Sequence, residues 1–167
     1  MLLSEAAGSG WKARALSAGL ALVMLAGCQA QPLYGSIQGE TQSVSVSTAD
    51  SRVEQTVRNE LVLGFGGEQT HAAYQLDLSV SSNMSGLLPG GVDNEFSAAR
   101  VTVTATYVLK SASTGETLKD GSRFADAQLD LPSQQFAQIR ARSEAEDRAA
   151  REVAALVRAD VAAALAR

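Results

Sequence analysis

The sequence predicts an α+β fold: a two-layer α/β sandwich of order β-α-β-β-β-α, with a four-stranded mixed sheet and two helices packed on one face. Three observations carry that expectation. Four segments alternate apolar and polar residues with the period of two of a half-buried strand. Two others repeat apolar residues at every fourth position, the spacing of a helix with one buried stripe. Because every strand has one apolar and one polar side, helices cover one face of the sheet and water wets the other.

The first strand is Gln42–Ser47 (QSVSVS), where Val44 and Val46 alternate with serines. Ser51-Arg52-Val53-Glu54 has the Ser-x-x-Glu spacing of a capping box, and Val53, Val57 and Leu61 then recur at helical spacing. A helix of about three turns follows, stopped by Gly64-Phe65-Gly66-Gly67. Ala73–Ser81 places Tyr74, Leu76, Leu78 and Val80 on one face of a second strand and Gln75, Asp77 and Ser79 on the other. Ser82–Phe96, with Pro89-Gly90-Gly91 inside it, is expected to be a long loop. Ser97–Lys110 resumes the alternation, with Val101, Val103, Ala105, Tyr107 and Leu109 inward and Arg100, Thr102, Thr104 and Thr106 outward.

Ser113-Thr114-Gly115 turns the chain into a fourth strand, Thr117–Gln128, whose Leu118 and Phe124 are expected to face the core. Pairing Leu109 with Leu118 and Val103 with Phe124 sets a register that brings Arg123 beside Thr104 and Lys119 beside Val108 on the polar side. Pro132-Ser133 opens a final helix from Phe136 onward. Val153, Val157, Val161 and Leu165 form its stripe, widened by Leu156 and Ala164. Glu144/Arg148 and Asp147/Arg151 are spaced as helix-neighbour ion pairs, each contributing about 0.3–0.5 kcal/mol.

The start of the chain has a different character. Trp11-Lys12-Ala13-Arg14 is basic, and Ala15–Ala26 is an uncharged apolar segment of twelve residues. That is short of the ~20 residues of a bilayer span but suits the apolar core of a signal peptide. Leu25-Ala26-Gly27-Cys28 resembles the bacterial lipobox, and Cys28 is the only cysteine. In that chemistry the thiol takes a diacylglycerol thioether, the leader is cut before the cysteine, and the new amine receives an acyl chain such as palmitate. Residues 1–27 therefore read as a lipoprotein signal peptide, 28–41 as a lipidated tether and 42–167 as a single domain. Three chains make attachment effectively permanent, because each buried CH₂ contributes roughly 0.8 kcal/mol. Gln29 stands where an Asp would retain a lipoprotein in the inner membrane of some bacteria, which points to the outer membrane.

A formal net charge of −4 argues against a nucleic-acid partner. A single cysteine excludes an intrachain disulfide and every multi-cysteine zinc pattern. His71 is the only histidine, so neither a metal site nor a Ser-His-Asp arrangement can be built around it with any specificity. The glycine cluster at 64–67 follows a helix and does not lead from a strand into one, so it reads as a helix stop and not as a phosphate loop. Asp93-Asn94-Glu95 lacks the ligand spacing of a calcium loop. The chain reads as a binding or assembly protein, not an enzyme, with no cofactor beyond the covalent diacylglycerol and N-acyl chain on Cys28.

The stretches LAGCQAQPLYG, SRVEQTVRNEL, YQLDLSVS and RVTVTATYVLKSASTGETLKDG, followed by an Ala/Arg-rich final helix, resemble the LptE family. The Cys-x-x-x-Pro-Leu-Tyr-Gly start and Arg58-Asn59-Glu60-Leu61 are the distinctive pieces. The resemblance implies an α/β sandwich lodged in the β-barrel of LptD, lipid-anchored on the periplasmic side of the outer membrane. It also implies binding of lipopolysaccharide and its delivery to the outer leaflet. A sheet face of Ser and Thr suits that setting, because barrel lumens are polar. The acidic balance departs from what direct binding of an anionic glycolipid would favour. Arg100, Lys110, Lys119 and Arg123 are the candidate phosphate contacts, drawn into a loose cluster by the expected register. Two other readings stay open: an accessory lipoprotein of an ABC-type lipid-transport system, and a lipoprotein hydrolase, which would need a nucleophile–base pair.

Overall fold

The computed structural model describes residues 43–90 and 95–166. The leader, Cys28 and the tether lie outside the described residues. The elements are β1 (Val44–Val46), α1 (Arg52–Gly64), β2 (Tyr74–Gly90), β3 (Glu95–Ser111), β4 (Thr117–Asp130) and α2 (Gln135–Leu165). The four strands form one sheet in the order β1-β2-β3-β4. β1 pairs with β2 in parallel through Val44↔Tyr74 and Val46↔Leu76. Parallel neighbours need a crossover, and α1 supplies it. The β2–β3 and β3–β4 pairs are antiparallel hairpins. α1 lies over β1 and β2, α2 over β3 and β4, and the helices pack on each other. The expected α+β architecture is the observed one.

The Ser51 hydroxyl accepts the Glu54 amide at 3.2 Å, and the Glu54 carboxylate accepts the Asp50 amide at 3.0 Å, fixing the start of α1. At its far end Gly67 donates to the Val62 carbonyl at 2.8 Å with φ 111°, a left-handed geometry that a Cβ disfavours. Phe65, inside this stop, turns inward and is buried with Leu61 and Leu76. The α2 side of the core is built from small residues: Ala145, Ala149, Ala150 and Ala154 beside Val153, Val157 and Val161. Those short side chains allow the helix axis to approach the sheet closely.

Four local expectations are corrected. Ser82–Phe96 is not a loop: β2 continues to Gly90 and β3 begins at Glu95. Ser82 and Gly86 occupy inward positions where the alternation demands apolar side chains, which hides the strand from a periodicity reading. A Cβ on Gly86 would fall within 2.4 Å of the Phe96 ring, so the ring itself covers the glycine. The β3–β4 register differs by one residue: Thr104 faces Phe124, Ala105 faces Arg123 and Leu109 faces Lys119. An irregularity between Leu109 and Lys110, where Lys110 pairs with Thr117, absorbs the extra residue. A one-residue slip moves every side chain to the other face. Phe124 therefore stands 65 % exposed on the open side, and Leu118 is exposed as well. The inward positions of β4 are Ala125, Ala127 and Leu129, the sizes that α2 leaves room for. Leu156 is exposed and does not widen the α2 stripe. Asp147 bonds Arg52 of α1 at 2.8 Å and not Arg151, while the Glu144–Arg148 pair forms as expected at 3.1 Å.

The observed register makes a direct prediction. Phe124→Ser should change unfolding free energy by no more than about 0.5 kcal/mol. The expected register would have buried the ring, and its removal would cost roughly 3–5 kcal/mol. Urea denaturation of the two proteins separates these outcomes.

Candidate functional site

The face of the sheet away from the helices presents Ser79 and Ser81 from β2, Thr102, Thr104 and Thr106 from β3, and Phe124 from β4. Hydroxyls placed by the pleat form rows that donate and accept, with one large aromatic ring among them. The two cations on this face lie against acids. Lys110 reaches Asp77 at 2.7 Å, and Gln75 donates to the same carboxylate at 2.8 Å. The Lys110 hydrogen bond, aided by Gln75 and opposed by partial burial, holds the Asp77 carboxyl below its ordinary range. Arg100 approaches Asp126 at 4.0 Å, and Asp126 accepts the Thr102 hydroxyl.

The four candidate cations do not form one cluster. Arg100 and Lys110 lie on the open face, ten residues and so about 33 Å of strand apart. Lys119 and Arg123 project on the helix side of β4, because they sit opposite Leu109 and Ala105. The Arg123 guanidinium makes a forked contact with Asp160 of α2, at 2.7 and 2.8 Å. Tyr107 reaches the same carboxylate through its hydroxyl at 2.6 Å. Its ring crosses Gly121, where a Cβ would lie 2.8 Å from the phenol oxygen. Arg123 is thus the chief reason that Asp160 is held below the usual carboxylate range, with Tyr107 adding to it. Burial first and the hydrogen bond to the Asp160 carboxylate second push the phenol of Tyr107 up.

A second polar tie joins three elements. Glu146 of α2 is nearly buried and accepts Arg52 of α1 at 2.6 Å, Arg142 at 3.0 Å and the Ser82 hydroxyl of β2 at 3.2 Å. Burial raises the Glu146 pKa, but Arg52, Arg142 and Ser82 together outweigh it and hold the carboxyl ionised below its ordinary value. Neither tie follows from strand alternation or helical spacing alone. The available signal was an acid set into an apolar stripe, Asp160 between Val157 and Val161 and Glu146 beside Ala145. Among the described residues no group of three His, Cys, Asp or Glu side chains is placed to hold a metal. No described helix is long and apolar enough to cross a membrane.

Asp160 carries a pH prediction. Its folded pKa lies below the ordinary value of 3.8, so its contribution is complete above that value and fades as pH falls through the folded pKa. Asp160→Asn should lower stability at pH 7 by about 1 kcal/mol, a figure reduced because water reaches the outer side of the pair. The gap to wild type should close in acid. Denaturation series carried from pH 7 down through the folded pKa of Asp160 check this, and a gap that stays constant to the acid end would contradict it.

Comparison with known proteins places this arrangement. The LptE family model, described as lipopolysaccharide-assembly, matches residues 39–161. No curated protein matches the sequence. Among solved structures, a lipoprotein from Caulobacter crescentus superposes with a TM-score of 0.65 at 22 % identity, covering 78 % of this chain and 96 % of its own. The rare lipoprotein B of Shewanella oneidensis follows at 0.56 and 16 % identity, with 72 % and 92 % covered. A minor lipoprotein from Acinetobacter baumannii gives 0.53 at 11 % identity, with 72 % and 88 % covered. At such identities the structures share the fold. The family model spans most of the chain, from the approach to β1 into the last turns of α2, and the chain belongs to the LptE family of lipopolysaccharide-assembly proteins.

Proposed function

We propose that this protein is an outer-membrane lipoprotein, held on the periplasmic side by acyl chains on Cys28, that plugs the LptD β-barrel and takes part in moving lipopolysaccharide to the outer leaflet. The observation that carries the reading is the uncovered hydroxyl face of the sheet. A sheet face that stays wet in the isolated domain can exchange its water for a polar barrel wall without burying unpaired groups. Phe124, alone and exposed among threonines, supplies the aromatic anchor that such interfaces use. The role asked of the chain is docking and delivery, with no bond made or broken.

Arg100, Lys110, Lys119 and Arg123 are proposed as phosphate contacts acting at separate points. Lys110 and Arg100 would exchange Asp77 and Asp126 for lipid phosphates as charge-assisted bonds. Arg123 has a second duty in holding α2, so the informative change is Arg100→Ala with Lys110→Ala, which removes cations from the open face and leaves the Asp160 tie intact.

Thr104→Trp should reduce recovery of the barrel protein on purification from membranes while the domain keeps its circular dichroism. Undiminished recovery would count against the open face as the docking surface. Recovery of an inner-membrane permease in place of a barrel would favour the ABC-accessory reading. Cys28→Ala should leave an unprocessed precursor in the membrane fraction, and a wild-type protein with an unmodified Cys28 by mass spectrometry would remove the anchor.

A further inference from the structure

The outer edge of β2 beyond β1 has open backbone groups. β1 pairs with β2 only as far as Leu76. Ser47 extends the contact slightly, donating its amide to Leu76 and accepting the Leu78 amide on its hydroxyl at 3.0 Å. These contacts show that even-numbered residues of β2 turn their N–H and C=O groups outward. Among the described residues, the outward groups of Val80, Ser82 and Met84 have no backbone or side-chain partner. From Ser79 to Leu88 this edge carries no charged residue and no proline. The opposite edge is guarded: β4 carries Lys119, Asp120, Arg123, Asp126 and Asp130, and Arg148 caps the Gln128 carbonyl at 2.8 Å. Exposed edges that are not meant to pair normally carry such charges. Only one of the two long edges is protected.

A second feature lies beside the first. β2 has 17 residues and spans about 56 Å, whereas the 13 residues of α1 span about 20 Å. α1 begins at Arg52, over Ser82, as their shared bonds to Glu146 show. It leaves the helix side of distal β2 uncovered. Ile139 lies two turns before Glu146 on the same α2 stripe, about 10 Å toward the helix start. Met84 and Gly86 lie about 7 and 13 Å past Ser82 in the same direction. The apolar side chains there, Met84, Phe96, Ile139 and Phe136, are all exposed, Phe136 by 83 %.

We infer that the β2 edge from Val80 to Gly86 receives an extended strand of the barrel partner, bearing apolar residues at alternate positions, an inference that rests on the plug reading above. The backbone of such a strand would pair with the open groups of Val80, Ser82 and Met84. Its inward side chains would fill the space that α1 leaves over Met84 and Phe96. The two features call for the same occupant: a peptide backbone for the edge and side chains of period two for the uncovered face. The absence of charge along the edge matches a neutral strand, and the site continues the column that β1 begins.

The test is residue-resolved amide exchange on the full lipoprotein, alone and in complex with its barrel protein purified from membranes. The amides of Val80, Ser82 and Met84 should exchange freely in the lipoprotein alone and slow by roughly 100-fold in the complex. Met84→Pro deletes one outward N–H that has no partner among the described residues, and should reduce barrel recovery; Met84→Leu should not. A complex whose three amides exchange as they do in the free lipoprotein overturns the strand while leaving the plug reading intact. Failure to recover any barrel protein overturns both. Slowing of the same amides by lipopolysaccharide micelles alone also overturns the strand, by assigning the edge to a glycolipid.

Discussion

The pairing of Thr104 with Phe124 is the constraint on which the rest of the molecule depends. Because side chains alternate with a period of two, that single choice of register sends Phe124 to the open face and Arg123 to the helix side. It sets Gly121 opposite Tyr107, so the phenol can cross the strand and meet Asp160. It also leaves Ala125, Ala127 and Leu129 to line the core beneath α2. The opposite choice would put a large ring against the alanine stripe of α2, where there is no volume for it.

Given that register, α2 is held by a light core and two polar ties. The alanines and valines bury little area each, but their uniform small size brings the helix close to the sheet. Asp160 fixes the C-terminal half of the helix to β3 and β4, and Glu146 fixes the middle to α1 and β2. Each carboxylate is shared among several donors, which orients it as well as neutralising it. Arg52 and Arg123 therefore hold the helices in place, whereas Arg100 and Lys110 pair with acids of the sheet itself.

Much of this was legible in the residues. The order of the elements, the capped start of α1, the glycine stop and the inward faces of β2 and β3 follow from alternation and spacing that nothing in the tertiary structure overrides. The far end of the β2–β3 hairpin was illegible because Ser82 and Gly86 take inward positions, their space filled by Glu146 and by the Phe96 ring. The β3–β4 register was illegible because two apolar residues, Leu118 and Phe124, invited a pairing with Leu109 and Val103. The irregularity at Lys110 and the need for glycine beneath Tyr107 decide otherwise. The open face as a docking candidate was visible from its hydroxyls, whereas the placement of Lys119 and Arg123 on the helix side was not, since it follows from the register.

The domain thus has one guarded edge, one unguarded edge and a hydroxyl-rich face between them. The place of Phe124 among the hydroxyls of the open face descends from the β3–β4 alignment. Cross-strand Hα–Hα nuclear Overhauser effects measure that alignment without any substitution, because residues facing each other in non-hydrogen-bonded pairs bring their α-protons together. Contacts between Thr104 and Phe124 and between Thr102 and Asp126 are the result predicted here. A contact between Thr104 and Arg123 in its place would contradict it.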